Sequence, residues 1–112
     1  MFNPYYNEID GIEKIVFNED GLCYEYDMII YLAKDGKVYV ASDQGCSCPI
    51  PFDGYEAPTV ERMLDGMERV GSINQGMAIF DSWNYTDYGK YSKVSINKRN
   101  DLRNWLEKNF KE

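Results

Sequence analysis

The strongest constraint on the fold is the dipeptide Asp35-Gly36, which separates two strand-like runs. The run "CYEYDMIIYLA" (23–33) alternates its side chains between two faces, and "KVYVAS" (37–42) is rich in β-branched and aromatic residues. Asp-Gly tolerates the positive φ angles of a two-residue hairpin turn. A third strand at 12–17 precedes the turn residues "NEDG" (18–21). The sequence therefore predicts a three-stranded antiparallel meander in which the second half of the middle strand is covered on both faces.

The rest of the chain favours helices. Ser72 and Gln75 match a capping box and predict a helix over about 73–83. A second helix is expected over about 100–111, capped by Asn100, with one apolar stripe: Leu102, Trp105, Leu106 and Phe110. Between 60 and 70, a helical pattern interrupted by Gly66 competes with a strand over 67–70. A short helical turn at 4–9 and a strand at 93–96 complete the prediction.

Strands first and helices later predict an α+β fold, in which helices pack on one face of an antiparallel sheet. With 112 residues, we expect a single domain, 1–112. No apolar run approaches the length of a membrane span, and the first residues lack the pattern of a signal peptide. We therefore expect a soluble protein that does not bind membranes.

Charge is distributed unevenly along the chain. The sequence has 19 acidic and 12 basic residues, a formal net charge of −7 and no histidine. Residues 1–65 carry 13 of the acidic and four of the basic residues, whereas 66–112 carry six and eight. Such a charge argues against direct nucleic-acid binding and favours basic protein partners. A solvated face that only maintains solubility is the alternative.

Three cysteines, Cys23, Cys46 and Cys48, are too few for a secreted disulfide scaffold. We interpret them as small thiols packed in a turn fixed by proline, and we predict no cofactor. The alternative is a metal-stabilised cysteine loop or a small metal-dependent enzyme. A zinc site would need a fourth ligand that is not histidine. A magnesium site would require four carboxylates to gather near this loop: Asp43, Asp53, Glu56 and Asp65.

The segment "SDQGCSCPIPFDGYE" (42–56) resembles the D-x-G-C-S-C-P-x-P-F-[DE] stretch of a family of small uncharacterised bacteriophage proteins. The matching residues are Asp43, Gly45, Cys46, Ser47, Cys48, Pro49, Pro51, Phe52 and Asp53. Family members often have D-S-G where this chain has Asp43-Gln44-Gly45. The resemblance implies a phage or prophage origin and a location in the host cytoplasm, but it transfers no activity.

The segment "WNYTDYGKY" (83–91) has the aromatic and polar composition of protein contact loops. In the alternative interpretation, Trp83 ends a core helix and the tyrosines cover the sheet. Our candidate partner-binding residues combine this loop with acidic residues of the preceding half: Trp83, Tyr85, Asp87, Tyr88, Tyr91, Asp43, Asp53 and Glu56.

Without histidine, a phosphate-binding loop or a nucleophile elbow, the sequence offers no catalytic residues, and we do not expect an enzyme. The function that these features favour is that of a small acidic phage protein that binds and inhibits a host protein. A component of an anti-phage defence system would be a suitable target, and a basic nucleic-acid-handling protein would match the charge. A structural role in the virion is a further alternative.

Overall fold

The computed structural model describes residues 1–19, 25–46, 50–86 and 91–111. Within these ranges the elements follow one another as β1 (Glu13–Asn18), β2 (Glu25–Lys34), β3 (Lys37–Cys46), a 3₁₀ turn (Asp53–Tyr55), α1 (Val60–Asp65), β4 (Glu68–Val70), α2 (Ile73–Asn84), β5 (Tyr85–Thr86), β6 (Tyr91–Ser92) and α3 (Ile96–Asn109). The first four strands form one antiparallel sheet in the order β1-β2-β3-β4. The predicted α+β class and the three-stranded meander are confirmed.

The hairpin between β2 and β3 has the two-residue loop that Asp35-Gly36 predicts. Lys34 pairs with Lys37, and both loop residues adopt positive φ, 54° at Asp35 and 79° at Gly36. Two positive φ angles in succession are the geometry of a type I′ turn, which matches the twist of the strands that it joins. The carbonyl of Gly36 also accepts a hydrogen bond of 2.9 Å from the amide of Lys111, so the segment after α3 is attached to this turn.

Strand β2 lies between β1 and β3, and its residues 28–33 are buried on both faces, as the sequence predicts for the second half of this strand. Its odd-numbered residues face α2 and α3, and its even-numbered residues face the N-terminal segment, the loop 50–58 and α1. We call these the helix side and the loop side of the sheet. Buried residues of the helix side include Ile29, Tyr31, Phe80, Leu102 and Leu106. Those of the loop side include Met28, Ile30, Leu32, Phe52 and Met63.

The segment 60–70 contains both of the structures that its sequence pattern allows. Thr59 caps α1, since its hydroxyl oxygen accepts a hydrogen bond of 3.2 Å from the amide of Arg62. The helix ends at Gly66, and β4 follows two residues later. The predicted helix over 73–83 is confirmed as α2, with Ser72 accepting from the amide of Gln75 at 3.0 Å. The Gln75 side chain accepts from the amide of Gly71, instead of closing the capping box on Ser72.

Two local predictions about the end of the chain are wrong. Residues 93–96 do not form a strand, because Asn84 holds this segment against the end of α2: its main-chain and side-chain oxygens accept from the amides of Lys93 and Val94, both at 2.8 Å. Asn100 is not a cap, since α3 begins at Ile96 and contains it. The turn near the N-terminus is confined to residues 4–6, where Asn3 accepts from two successive amides.

Candidate functional site

Trp83, the first residue of the aromatic segment, is half-buried at the end of α2. Its indole N–H donates to Oδ1 of Asp27 at 2.8 Å, and its ring packs on Phe80 with the centroids 5.8 Å apart. Lys93 completes the group, because its Nζ lies 2.9 Å from Oδ2 of Asp27 and 5.1 Å from the centroid of the indole ring. Trp83 therefore attaches α2 to β2, in agreement with the core interpretation of this residue.

The other predicted aromatic residues follow Trp83 in a short hairpin. Tyr85 begins β5, and its side chain is 39% exposed. Thr86 pairs with Tyr91 at the start of β6. The side chain of Tyr91, like Asp87 and Tyr88, lies outside the described residues. Of the aromatic candidates whose side chains are described, Tyr85 is the one that offers an exposed ring.

Asp43 organises the loop that follows β3. Its Oδ2 accepts from the amide of Phe52 at 2.7 Å and from the hydroxyl of Tyr26 at 3.2 Å, while Oδ1 accepts from the amide of Gln44 at 3.0 Å. Phe52 adopts a left-handed backbone with φ 63°, and its side chain is fully buried on the loop side. Positive φ is uncommon for a bulky residue. The carboxylate of Asp43 therefore holds Phe52 in the core. Both of its oxygens already accept hydrogen bonds within the chain, which leaves little capacity for a contact with a partner protein.

The other two acidic candidates differ in exposure. Asp53 is exposed at the start of the 3₁₀ turn. Glu56 is half-buried and accepts a hydrogen bond of 3.3 Å from the side-chain amide of Asn3, which is itself buried. Adjacent residues of a strand point to opposite faces. Asp43 therefore lies on the loop side and Trp83 on the helix side, at the same end of the sheet, so the candidates that the structure describes are divided between the two sides.

The structure converts the charge imbalance along the chain into an imbalance across the sheet. The segments that cover the loop side, 1–12 and 50–65, carry six carboxylates and one basic side chain. The helices that cover the other side, α2 and α3, carry three carboxylates and four basic side chains. We call the first of these surfaces the acidic layer. Its carboxylates are Glu8, Asp10, Asp53, Glu56, Glu61 and Asp65.

Ion pairs neutralise little of the acidic layer. Three salt bridges occur in the described part of the chain: Lys34–Glu61 at 3.6 Å, Lys93–Asp27 at 2.9 Å and Arg99–Asp81 at 2.7 Å. Only the first involves the acidic layer. Five of its six carboxylates therefore have no basic partner among the described residues, and their negative potential extends into solvent.

The proposed metal ligands do not come together. The four carboxylates Asp43, Asp53, Glu56 and Asp65 are all described, and no group of three or more His, Cys, Asp or Glu able to hold a metal occurs in the ranges the structure covers. Cys23, Cys48 and the side chain of Cys46 lie outside those ranges, so the cysteine-loop alternative stays a prediction. Of the described helices, none has the length and apolar character needed to span a bilayer.

One feature that sequence reasoning missed is an open groove at the edge of β3. Strand β4 pairs with β3 only from Val38 to Val40, so β3 continues beyond it for six more residues. A groove of about 380 Å³ lies where β4 stops, and its lining includes Ile29, Ala41, Tyr55, Met67, Glu68 and Ile79. Its walls come from distant parts of the chain. The one local signal is Gly66, which separates a helical from an extended pattern and limits β4 to a short strand.

Comparisons with known proteins identify a family without a described activity. No curated protein and no solved structure matches the chain. The model of DUF7574, described as a domain of unknown function, matches residues 3–101. This range includes the whole four-stranded sheet, α1, α2 and the start of α3. The chain therefore belongs to the DUF7574 family.

Proposed function

We propose that this protein acts by binding another protein through its acidic layer, without catalysis. In full, we propose that it is a small acidic phage-encoded accessory protein that binds and inhibits a host protein. The proposed target is a component of an anti-phage defence system. The phage origin is supported by the resemblance of residues 42–56, and the binding role by charge and geometry.

The observation that carries the binding role is the composition of the acidic layer. Five carboxylates that have no basic partner among the described residues lie on one side of the sheet, and they produce a negative potential that fades over about 8 Å at physiological ionic strength. Such a surface accelerates encounter with a positively charged partner. Proteins that handle nucleic acids present cations for phosphate groups, so a basic host protein of that kind fits this surface. The same field opposes direct binding of nucleic acid.

The proposal is tested by affinity capture followed by reconstitution. Tagged protein is used to capture partners from host lysate at low and at high ionic strength, and the enriched protein is purified and assayed with and without this chain. We expect capture that weakens as salt rises, together with loss of the partner's activity. Capture that is indifferent to salt, or a partner whose activity is unchanged, would contradict the proposal.

A pair of charge reversals makes the test specific. Asp53→Lys changes an exposed carboxylate of the acidic layer that makes no ion pair with a described residue, and Asp101→Lys makes the same change at an exposed position of α3. Both variants change the net charge equally. We expect Asp53→Lys to weaken capture more than Asp101→Lys, and equal effects would show that overall charge, not the acidic layer, governs binding.

A further inference from the structure

The open edge of β3 has main-chain groups that no strand of the described chain uses. A two-residue hairpin loop is closed by a pair that exchanges two main-chain hydrogen bonds, and such pairs alternate with non-bonded pairs along the ladder. Lys34 and Lys37 form the closing pair, so Ser42 and Gln44 fall at non-bonded positions. Their N–H and C=O groups therefore point away from β2, toward the free edge.

Contacts of the neighbouring residues agree with this orientation. Val38 and Val40 occupy the same alternate positions as Ser42, and they are the residues at the two ends of the β4 pairing. The amide of Gln44 is bonded to the side chain of Asp43 instead of to β2. Among the described residues, no main-chain partner takes the donor or the acceptor of Ser42, so both are available to an added strand, and the carbonyl of Gln44 provides a second acceptor.

The groove beside this edge suits an apolar side chain flanked by a cation. Ala41, Met67 and Ile79 contribute apolar lining, and the charged residue of the described lining is Glu68. Asp65, in the acidic layer, is exposed one residue before the groove wall at Gly66. Because the described part of the lining contains Glu68 and no basic residue, the groove complements a segment that carries a positive charge.

The opposite edge of the sheet is better protected. Its strand, β1, has charged residues at Glu13 and Lys14, and Nζ of Lys14 donates at 2.7 Å to the carbonyl of Tyr5, which brings the N-terminal segment against this strand. Charged side chains and covering segments are the usual protection of an edge strand. Ser42 and Gln44, by contrast, are exposed and uncharged.

We propose that the edge of β3 beyond Val40 binds an extended segment of the partner protein by strand addition, with an apolar side chain in the groove and a basic residue against Glu68. The segment continues the line of β4 and pairs its main chain with Ser42 and Gln44. Five residues of β3, 42–46, offer roughly 16 Å of edge, at about 3.3 Å per residue. This inference rests on the proposed function, since it adds, beside the acidic layer, a strand-pairing site for the same partner.

Synthetic peptides test the site without knowledge of the partner. The probes are seven-residue peptides that alternate Lys with Val or Glu with Val, and binding is followed by NMR and amide hydrogen exchange. We expect the Lys–Val peptide to shift the resonances of Ser42, Gln44 and Glu68 and to slow exchange of the Ser42 amide. We expect the Glu–Val peptide to bind at least about tenfold more weakly. Absence of binding, or binding at β1, would overturn the proposal.

Two variants and two matched controls separate pairing from charge. Ser42→Pro removes an N–H that points toward the free edge, and an edge strand tolerates proline at such a position. Asn18→Pro removes the N–H that points away from β2 at the last residue of β1. Glu68→Arg reverses the charge at the groove, and Asp101→Arg reverses an exposed charge on α3. We expect Ser42→Pro and Glu68→Arg to weaken the Lys–Val peptide about tenfold and the controls to leave it unchanged, with thermal unfolding as the check of folding. Equal losses in all four variants would contradict strand addition.

The outcomes distinguish this inference from the function that it extends. A captured host partner that binds Ser42→Pro and Glu68→Arg as well as it binds the unmodified protein would refute the edge site and leave the proposed function intact. Peptide binding at the edge, with no host partner captured, would support the site and refute the function. Sedimentation that shows a dimer abolished by Ser42→Pro would assign the edge to a second copy of this chain and overturn the proposal.

Discussion

At the scale of single residues, Asp27 connects more of the molecule than its position in a strand indicates. One carboxylate receives the indole N–H of Trp83 and the ammonium group of Lys93, with side-chain exposures of 14% for Asp27 and 17% for Lys93. Removing one partner of a largely buried charge pair leaves the other without compensation. The sequence places Asp27 on an exposed half of a strand face and does not reveal either partner, because both are more than fifty residues away.

Asp27→Ala should therefore lower the free energy of unfolding by about 2–3 kcal/mol, because it leaves the Lys93 ammonium and the Trp83 indole unpaired. Urea denaturation measures the change. Glu25→Ala is the matched control, since Glu25 lies two residues earlier on the same face, is exposed and makes no ion pair in the described structure. We expect that control to change stability by less than about 0.5 kcal/mol. A similar loss in both variants would indicate a general effect of strand charge.

The buried hydroxyl of Tyr31 should make the free energy of unfolding depend on pH in the alkaline range. Its hydroxyl donates to the carbonyl of Gly76 at 2.7 Å, and burial, followed by the nearby carboxylates of Asp81 and Glu68, raises the pKa of Tyr31 well above its ordinary value. Above a pH of about 10 the unfolded chain loses this proton while the folded chain retains it. The free energy of unfolding should therefore fall as pH rises, by up to about 1.4 kcal/mol per pH unit from this residue.

Tyr31→Phe tests this dependence. The variant should lose about 1 kcal/mol at neutral pH, because the hydrogen bond to Gly76 is removed, and its stability should fall less steeply above pH 10. Denaturation curves across alkaline pH measure both effects. Tyr6→Phe, at a ring that is 59% exposed, should keep the slope of the unmodified protein. An unchanged slope in Tyr31→Phe would show that other groups govern alkaline unfolding.

At the scale of secondary-structure elements, local sequence patterns predicted the strands of the sheet better than the segments that pack against it. Asp35-Gly36 requires a particular turn, so the β2–β3 hairpin and its register could be predicted from a few residues. The structure of segment 60–70 could not be predicted in this way, because a helix and a strand divide it, and the bounds of β4 depend on pairing with Val38 and Val40 in a distant strand. The start of α3 also depends on a distant contact, that of Asn84 with Lys93 and Val94.

The loop 50–58 depends on one carboxylate from β3. Asp43→Ala leaves the amide of Phe52 without its acceptor at the edge of a buried core, and we expect a loss of about 2 kcal/mol. Hydrogen exchange of the Phe52 amide should become faster, while amides within α2 should change only in proportion to global stability. Asp53→Ala, at an exposed carboxylate without a described partner, is the control for charge. An unaltered Phe52 amide would show that the loop is held by packing alone.

At the scale of the whole molecule, the candidate site could be predicted in part. The imbalance of charge is visible in the sequence because the whole acidic layer comes from two continuous segments, 1–12 and 50–65. Its grouping on one side of the sheet depends on which segments cover the even-numbered residues of β2. The groove at β3 is lined by residues from five separate parts of the chain and depends on where β4 stops, so no local pattern indicates its full lining.

Like charges within the acidic layer should oppose folding at low ionic strength. Glu8→Gln combined with Asp10→Asn should therefore raise the free energy of unfolding by a few tenths of a kcal/mol, on the order of surface charge effects, and the gain should shrink as salt screens the repulsion. Thermal unfolding at several salt concentrations measures this. Asp101→Asn, on the helix that carries four basic residues, should give no such gain. A gain there of the same size would place the repulsion in the net charge instead of the layer.

The alternation of Ile29 and Ile30 has a consequence for how relatives of this chain can diverge. These neighbours in sequence belong to separate interiors, one under α2 and α3 and the other under the N-terminal segment and α1. Changes in one interior that keep its row of β2 side chains need no compensation in the other, since distant substitutions act additively. Relatives can therefore diverge in the segments 1–12 and 50–65 that cover one side while the paired helices continue to hold the sheet from the other.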